Sequence, residues 1–206
     1  MADDVLQLID RLSLNAPAVL GHSMGGKTAM ALALRHPQRV SRLIVVDIAP
    51  VSYADTLTPF AEAMRSADVL AAGQPRRGAA ARCSRPCPDP GVVPFLMQNL
   101  VARNDHFDWR INLLGISAAM PQLCGFPSEL LGARFDGPVT VIAGDELRLR
   151  GAARRRGRSS PMFSQVEVEV IADAGHWVHA DQPAAFVARQ AGAARQTQPT
   201  RAAHAL

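Results

Sequence analysis

The sequence predicts an α/β fold, a mostly parallel sheet flanked by helices, and three observations carry that prediction. A short apolar run, Pro17 to Leu20, leads through Gly21-His22-Ser23-Met24-Gly25 into the helix-prone stretch Lys27 to Arg35. Leu43 to Asp47 is an apolar, β-branched run of the kind a parallel strand buried on both faces requires, and it ends in an acid. Strand character returns at Pro138 to Ala143 and at Val166 to Ile171, with a helix-prone stretch after the last of them.

In chain order, Asp3 to Leu14 places Val5, Leu6, Leu8, Ile9 and Leu12 at helical spacing, with acids in the first turn where the helix dipole favours them. Ala18 to Leu20 is a short strand, Gly26 to Arg35 a helix, and His36 with Pro37 ends it. Between Pro50 and Asp136 the pattern turns helical and irregular. Helices are expected at Leu57 to Ala71, Gly91 to Ala102 and Leu113 to Met120, with prolines at the joints. This stretch reads as a lid. The strand Val166 to Ile171 alternates valine with glutamate, Ala174, Gly175 and His176 follow it, and Gln182 to Gln190 is a closing helix with Pro183 at its start. Gly192 to Leu206 lacks apolar periodicity and is expected to be disordered. The expected organisation is thus residues 1–50 and 137–190 as two parts of one core, 51–136 as a helical insertion and 191–206 as a tail.

With 206 residues, 48% of them hydrophobic and few aromatic, the chain can bury a sizeable core. No apolar stretch reaches the roughly 20 residues of a membrane span. Met1 to Asp10 is acidic, unlike a secretory signal. No membrane partner and a cytoplasmic location are expected. Cys83, Cys87 and Cys124 cannot all pair, and the first two lack a second metal-ligand pair, so free thiols and no metal or other cofactor are expected. The net charge is +4, and the arginines cluster in two patches, Gly73 to Arg85 and Arg148 to Arg158, mixtures of Arg, Ala and Gly without periodicity. A nucleic-acid surface would bind with steep salt dependence and interleave aromatics, which these patches lack. They read as mobile basic loops or as stretches of disturbed reading frame, and no nucleic-acid partner is expected. The oligomeric state has no signature here.

The chemistry begins at Gly21 to Gly25, which spells G-x-S-x-G between strand and helix. A sharp turn there lifts the serine over the sheet edge, with small residues at both glycine positions allowing the backbone to turn. Ser23 is the candidate nucleophile, and the Met24 N–H, at the positive end of the following helix, a candidate oxyanion donor. A serine hydroxyl needs a base, and the base an orienting acid. Of six histidines, His176 stands on a glycine-containing loop after the last strand, from which it can reach back over the sheet edge. His22 should point away from Ser23 and support the turn. His36, His106, His179 and His204 take surface or packing roles. For the acid, Asp47 and the Asp145-Glu146 pair both follow strands at the sheet edge, while Asp173 shapes the loop before His176.

Four blocks, Gly21 to Met30, Val46 to Val51, Phe107 to Leu113 and Ala174 to Pro183, resemble α/β-hydrolase acyl esterases, and among them the bacterial relatives of the mammalian α/β-hydrolase domain eleven protein. The resemblance implies the α/β-hydrolase fold with a helical lid, and it assigns the acid to Asp47, with Asp145 as the alternative used elsewhere in the fold. It also implies front strands and a His-Gly loop supplying a second oxyanion N–H, which have no counterpart in these 206 residues. The strand at Ala18 is therefore expected at an edge, with apolar surface facing water. An arginine-rich patch stands where such esterases carry a helix, at Leu147 to Ser160. The implied activity is a serine hydrolase cleaving small-molecule esters or thioesters, of short or medium acyl chain, through an acyl-enzyme. The alternative is a non-catalytic truncated remnant of such an esterase. Met64, Phe95, Met97, Phe107, Trp109 and Met120 suit an acyl chain, although packing is the commoner use of such residues.

Overall fold

The computed structural model describes residues 1–66, 75–86, 91–104, 106–145 and 161–195. Its elements are α1 (Ala2–Arg11), β1 (Ala18–His22), α2 (Met24–Arg35), β2 (Arg42–Val46), α3 (Thr58–Arg65), α4 (Pro75–Ser84), α5 (Val92–Met97), β3 (Leu100–Ala102), β4 (Phe107–Trp109), α6 (Leu113–Cys124), β5 (Phe135–Gly144), β6 (Phe163–Ile171), α7 (Val178–Asp181) and α8 (Pro183–Arg195). They fall into two compact units, Met1–Val51 with Phe126–Leu206, and Ser52–Gly125.

The first unit is built on a four-stranded sheet of order β1-β2-β5-β6, parallel at every pairing. β2 is central, and all five of its residues are buried. Side chains alternate along a strand, and β2 uses both faces. Leu43 and Val45 join Ile9 of α1 and Ala29 to Leu34 of α2 in one core, together with Val139 and Phe135 of β5. Ile44 and Val46 join Ile142, Ile171, Val178 and Ala193 in the other, with Phe186 of α8 against them. Helices therefore cover both faces, which is why β2 carries an unbroken apolar run. Fully buried side chains such as Leu32 contribute about 1.5–3 kcal/mol each on transfer from water. β1 pairs with β2 and stands at the edge of the sheet, with Leu20 exposed; Leu8, Leu12 and Leu14 at the N-terminal helix are exposed as well.

The second unit differs from the sequence expectation at α5, at α4 and at the end of α6. Gly91 to Ala102 is not one helix: α5 stops at Met97, and β3 pairs antiparallel with β4, Leu100 opposite Trp109. The Arg103 N–H donates to the His106 carbonyl at 2.7 Å and closes the turn between them. Residues 75–84 of the first arginine patch form α4 rather than a loop, because Ala79 and Cys83, four residues apart, both bury on one face. α3 is held at its start by Asp55. One Asp55 oxygen accepts the Leu57 and Thr58 N–H groups at 3.0 Å and the other accepts the Thr58 hydroxyl at 2.6 Å, which holds that carboxyl below its usual range. α6 starts on Asn112, whose side-chain oxygen accepts the Gly115 N–H at 2.9 Å, and continues past Met120 to Cys124.

α8 runs through Gly192 to Arg195, beyond the expected break. Cys87, Glu146, His204, the Arg148 to Arg158 patch and residues 196–206 lie outside the described residues. Among the described residues no helix is long and apolar enough to cross a membrane.

Candidate active site

Three neighbouring strands each pass one further ladder bond beyond their last residue. The Ser23 N–H donates to the Val46 carbonyl at 3.0 Å, Asp47 N–H to Ile142 at 2.8 Å, and Asp145 N–H to Ile171 at 3.1 Å. Ser23, Asp47 and Asp145 thus stand side by side just past the carboxyl ends of β1, β2 and β5, the edge at which open parallel sheets hold their ligands.

Ser23 sits in a sharp turn with φ 54° and ψ −122°. Non-glycine residues held in such regions cost on the order of 1–3 kcal/mol, supplied by the surrounding structure. A Cβ on Gly21 would overlap the Gly25 carbonyl, and one on Gly26 would lie 2.5 Å from Ile48 Cγ2 and 3.0 Å from the Gly21 carbonyl. A Cβ on Gly25 would meet nothing within 4 Å. The small residues that the turn requires are therefore Gly21 and Gly26, not both glycines of the G-x-S-x-G pattern. The Ser23 carbonyl accepts the Gly26 and Lys27 N–H groups at 2.8 and 3.2 Å. The Met24 N–H, first in α2, has no intrahelical acceptor and lies at the positive end of the dipole beside Ser23.

His176 lies 153 residues further along the chain, on the loop between β6 and α7, and its Nε2 is 3.0 Å from Ser23 Oγ. Its Nδ1 is 2.7 Å from Asp47 Oδ2. A carboxylate only accepts, so Nδ1 carries the proton and Nε2 is left to accept the serine hydroxyl. Asp47 also has positive φ, 52°, and its side chain is fully buried. Its second oxygen accepts the Gly144 N–H at 3.2 Å, so both oxygens have a donor, as a buried carboxylate requires. The His176 ring is 41% exposed, open enough to meet a ligand from outside. Of the two acids open in the sequence, the one bonded to His176 is Asp47. Asp145 bonds to the loop backbone instead, accepting the Ala174 N–H at 3.3 Å.

His22 has a place that sequence reasoning missed. Its Nε2–H donates to the His176 carbonyl at 2.8 Å, and the two rings lie 4.8 Å apart. His179 packs edge-on against it at 4.9 Å and continues to Phe186. Burial pushes His22 below the usual histidine value, partly opposed by the bond to the carbonyl. Adjacency to Ser23 was its only mark in the sequence. The same loop is held by Asp181, which accepts the Gly175 N–H at 2.9 Å, and by Gln182, which donates to the Asp173 carbonyl at 3.2 Å. Among the described residues no group of three or more His, Cys, Asp or Glu side chains is arranged to hold a metal ion.

A family model described as the alpha/beta hydrolase family matches residues 1–189. The mouse (Mus musculus) sn-1-specific diacylglycerol lipase ABHD11 is 33% identical over 193 residues, covering 91% of this chain and 62% of that protein. The esterase YbfF of Escherichia coli is 32% identical over 191 residues, covering 91% of this chain and 70% of that one. A solved marine-microorganism esterase superposes with a TM-score of 0.80 at 26% identity, covering 93% of this chain and 75% of its own. The chain spans about three fifths of the length of the curated diacylglycerol lipases it matches.

Proposed function

This chain belongs to the alpha/beta hydrolase family, and from that premise we propose that it is a serine hydrolase cleaving carboxylic esters or thioesters through an acyl-enzyme. The observation that carries the reading is the hydrogen-bonded line from Ser23 Oγ through His176 to Asp47, 3.0 and 2.7 Å. Ser23 Oγ attacks the acyl carbon while its proton passes to His176 Nε2. Asp47 keeps the Nδ1 proton in place and stabilises the imidazolium that forms. The Met24 N–H donates to the developing oxyanion; one such donor is worth about 10²–10³ in turnover. Collapse of the tetrahedral intermediate breaks the bond to the alcohol or thiol, which takes the proton from His176 Nε2. Water then repeats the sequence on the acyl-enzyme, releasing the acid and restoring Ser23.

Relatives named as esterases and lipases support ester chemistry as the class, and small-molecule esters of short or medium acyl chain are the proposed substrates. The test is labelling by a fluorophosphonate together with turnover of p-nitrophenyl esters. Wild-type protein is expected to label and turn over, and Ser23→Ala to do neither. Folded, monodisperse wild type that fails to label would overturn the reading and leave the alternative, a chain that keeps the site without the activity.

A further inference from the structure

We propose that His22 is a positioning residue for His176, setting the height of the base above Ser23 through the hydrogen bond from its Nε2–H to the His176 carbonyl. The inference rests on the reading of His176 as the base, and goes beyond it by assigning a role to a residue outside the Ser23, His176 and Asp47 line.

The loop from Asp173 to His176 carries the base, and it is tied residue by residue. Gln182 donates to the Asp173 carbonyl, Asp145 accepts the Ala174 N–H, and Asp181 accepts the Gly175 N–H. His22 donates to the carbonyl of His176 itself. Two of these ties come from the segment just after the loop, and Asp145 comes from the end of β5. Of these four ties, the one from His22 comes from the strand that leads into Ser23, one residue before it, and so links the backbone of the base to the turn that presents the serine. Asp47 restrains the ring at its Nδ1 end, whereas the bond from His22 restrains the backbone that carries the ring. The two restraints act on different parts of His176, so loss of the second shifts the whole residue relative to Ser23.

The tie also fixes which nitrogen of His22 carries hydrogen. A carbonyl accepts only, so Nε2 must carry hydrogen. The groups that face His22 are His176, His179 and Asp47, and burial holds the ring toward the neutral form. Neutrality matters, because a charged His22 with its ring 4.8 Å from His176 would oppose the imidazolium that the base becomes.

His22→Gln places an amide N–H where Nε2 stands and keeps the reach; His22→Asn is polar but too short; His22→Leu has no donor. A misplacement of about 1 Å can cost about 10²-fold. His22→Leu and His22→Asn are therefore expected to lower kcat on p-nitrophenyl butyrate by about tenfold to a hundredfold, with KM within about twofold, and His22→Gln to recover most of the loss. The downfield proton NMR signal of His176 Nδ1–H gives a readout independent of turnover. It is expected to broaden or shift in His22→Leu and His22→Asn, and to stay in place in His22→Gln. Equal kcat in all three variants, or equal loss in Gln and Leu, would overturn the inference, as would an unmoved signal in His22→Asn. If wild type shows the signal without any turnover, the hydrolase reading fails while the positioning inference is decided by the signal alone. Should His22→Leu not fold, the comparison of Asn with Gln decides it.

Discussion

Gly144 lies so close beneath the carbonyl of Ala174 that no side chain fits between them: a Cβ at this position would overlap the carbonyl oxygens of both Ala174 and Gly175. The same residue donates its N–H to Asp47. The end of β5 therefore supports the candidate acid with its backbone and admits the loop of the candidate base by lacking a side chain. Gly144→Ala is expected to push that loop outward, lowering ester turnover by about 10²-fold. Overpacking of this kind also destabilises by about 1–3 kcal/mol, to be measured by urea denaturation. Turnover equal to wild type would show that the loop yields without moving the ring.

Asp47 and Asp145 offer a direct comparison, one residue past the ends of β2 and β5. Replacing Asp47 by Asn puts an amide on a fully buried site facing Nδ1–H and favours the wrong histidine tautomer, so kcat is expected to fall by about 10⁴ with the fold intact. Asp145→Asn keeps an oxygen able to accept the Ala174 N–H, and turnover is expected within about tenfold of wild type. The reverse ranking in p-nitrophenyl ester assays would transfer the acid to Asp145.

What the sequence disclosed follows the length and regularity of each element. α1 and α2 have helical apolar spacing, and β2, β5 and β6 have strand-length apolar or alternating runs, and each lies close to its expected place, with no end shifted by more than three residues. The places of Ser23 and His176, after β1 and after β6, were legible because a turn motif and a glycine-containing loop mark them in the sequence, and the fold brings the two together. β3 and β4 were not: three residues each carry no usable period, and their pairing depends on the turn that Arg103 closes with His106. α4 was hidden because arginine and alanine fill its exposed positions and only Ala79 and Cys83 mark its buried face. The residues alone left Asp47 and Asp145 open and the resemblance favoured Asp47, which is the acid that bonds to His176.

The glycines of the turn divide in the same physical way. Gly25 has open space where a Cβ would be and begins a helix, so Gly25→Ala is expected to stabilise by about 0.4–1 kcal/mol through the unfolded chain. Gly21→Ala drives a methyl into the Gly25 carbonyl, and Gly26→Ala drives one toward Ile48. Both are expected to destabilise, Gly21 more severely because backbone rather than a side chain stands in the way. Urea midpoints for the three variants check the order, and a destabilised Gly25→Ala would contradict it.

The buried environment of His22 makes stability depend on pH in a defined window. Its folded value lies below the usual 6.5, mainly because burial disfavours the charged ring. Well above pH 6.5 the ring is neutral in folded and unfolded chains alike, and the contribution of this group is complete. Below that point the unfolded chain binds a proton that the folded chain resists, so stability falls with pH until the folded value is passed, and then levels off. His22→Gln keeps the bond to the His176 carbonyl but has nothing to titrate. The difference in unfolding free energy between wild type and His22→Gln is therefore expected to be constant from pH 7 to 8 and to shift against wild type as the pH drops through the window. Urea denaturation in half-unit pH steps measures it. A difference that stays flat from pH 8 to 5 would mean that His22 titrates as it does in an unfolded chain, and the neutral donor assigned to it would lose its support.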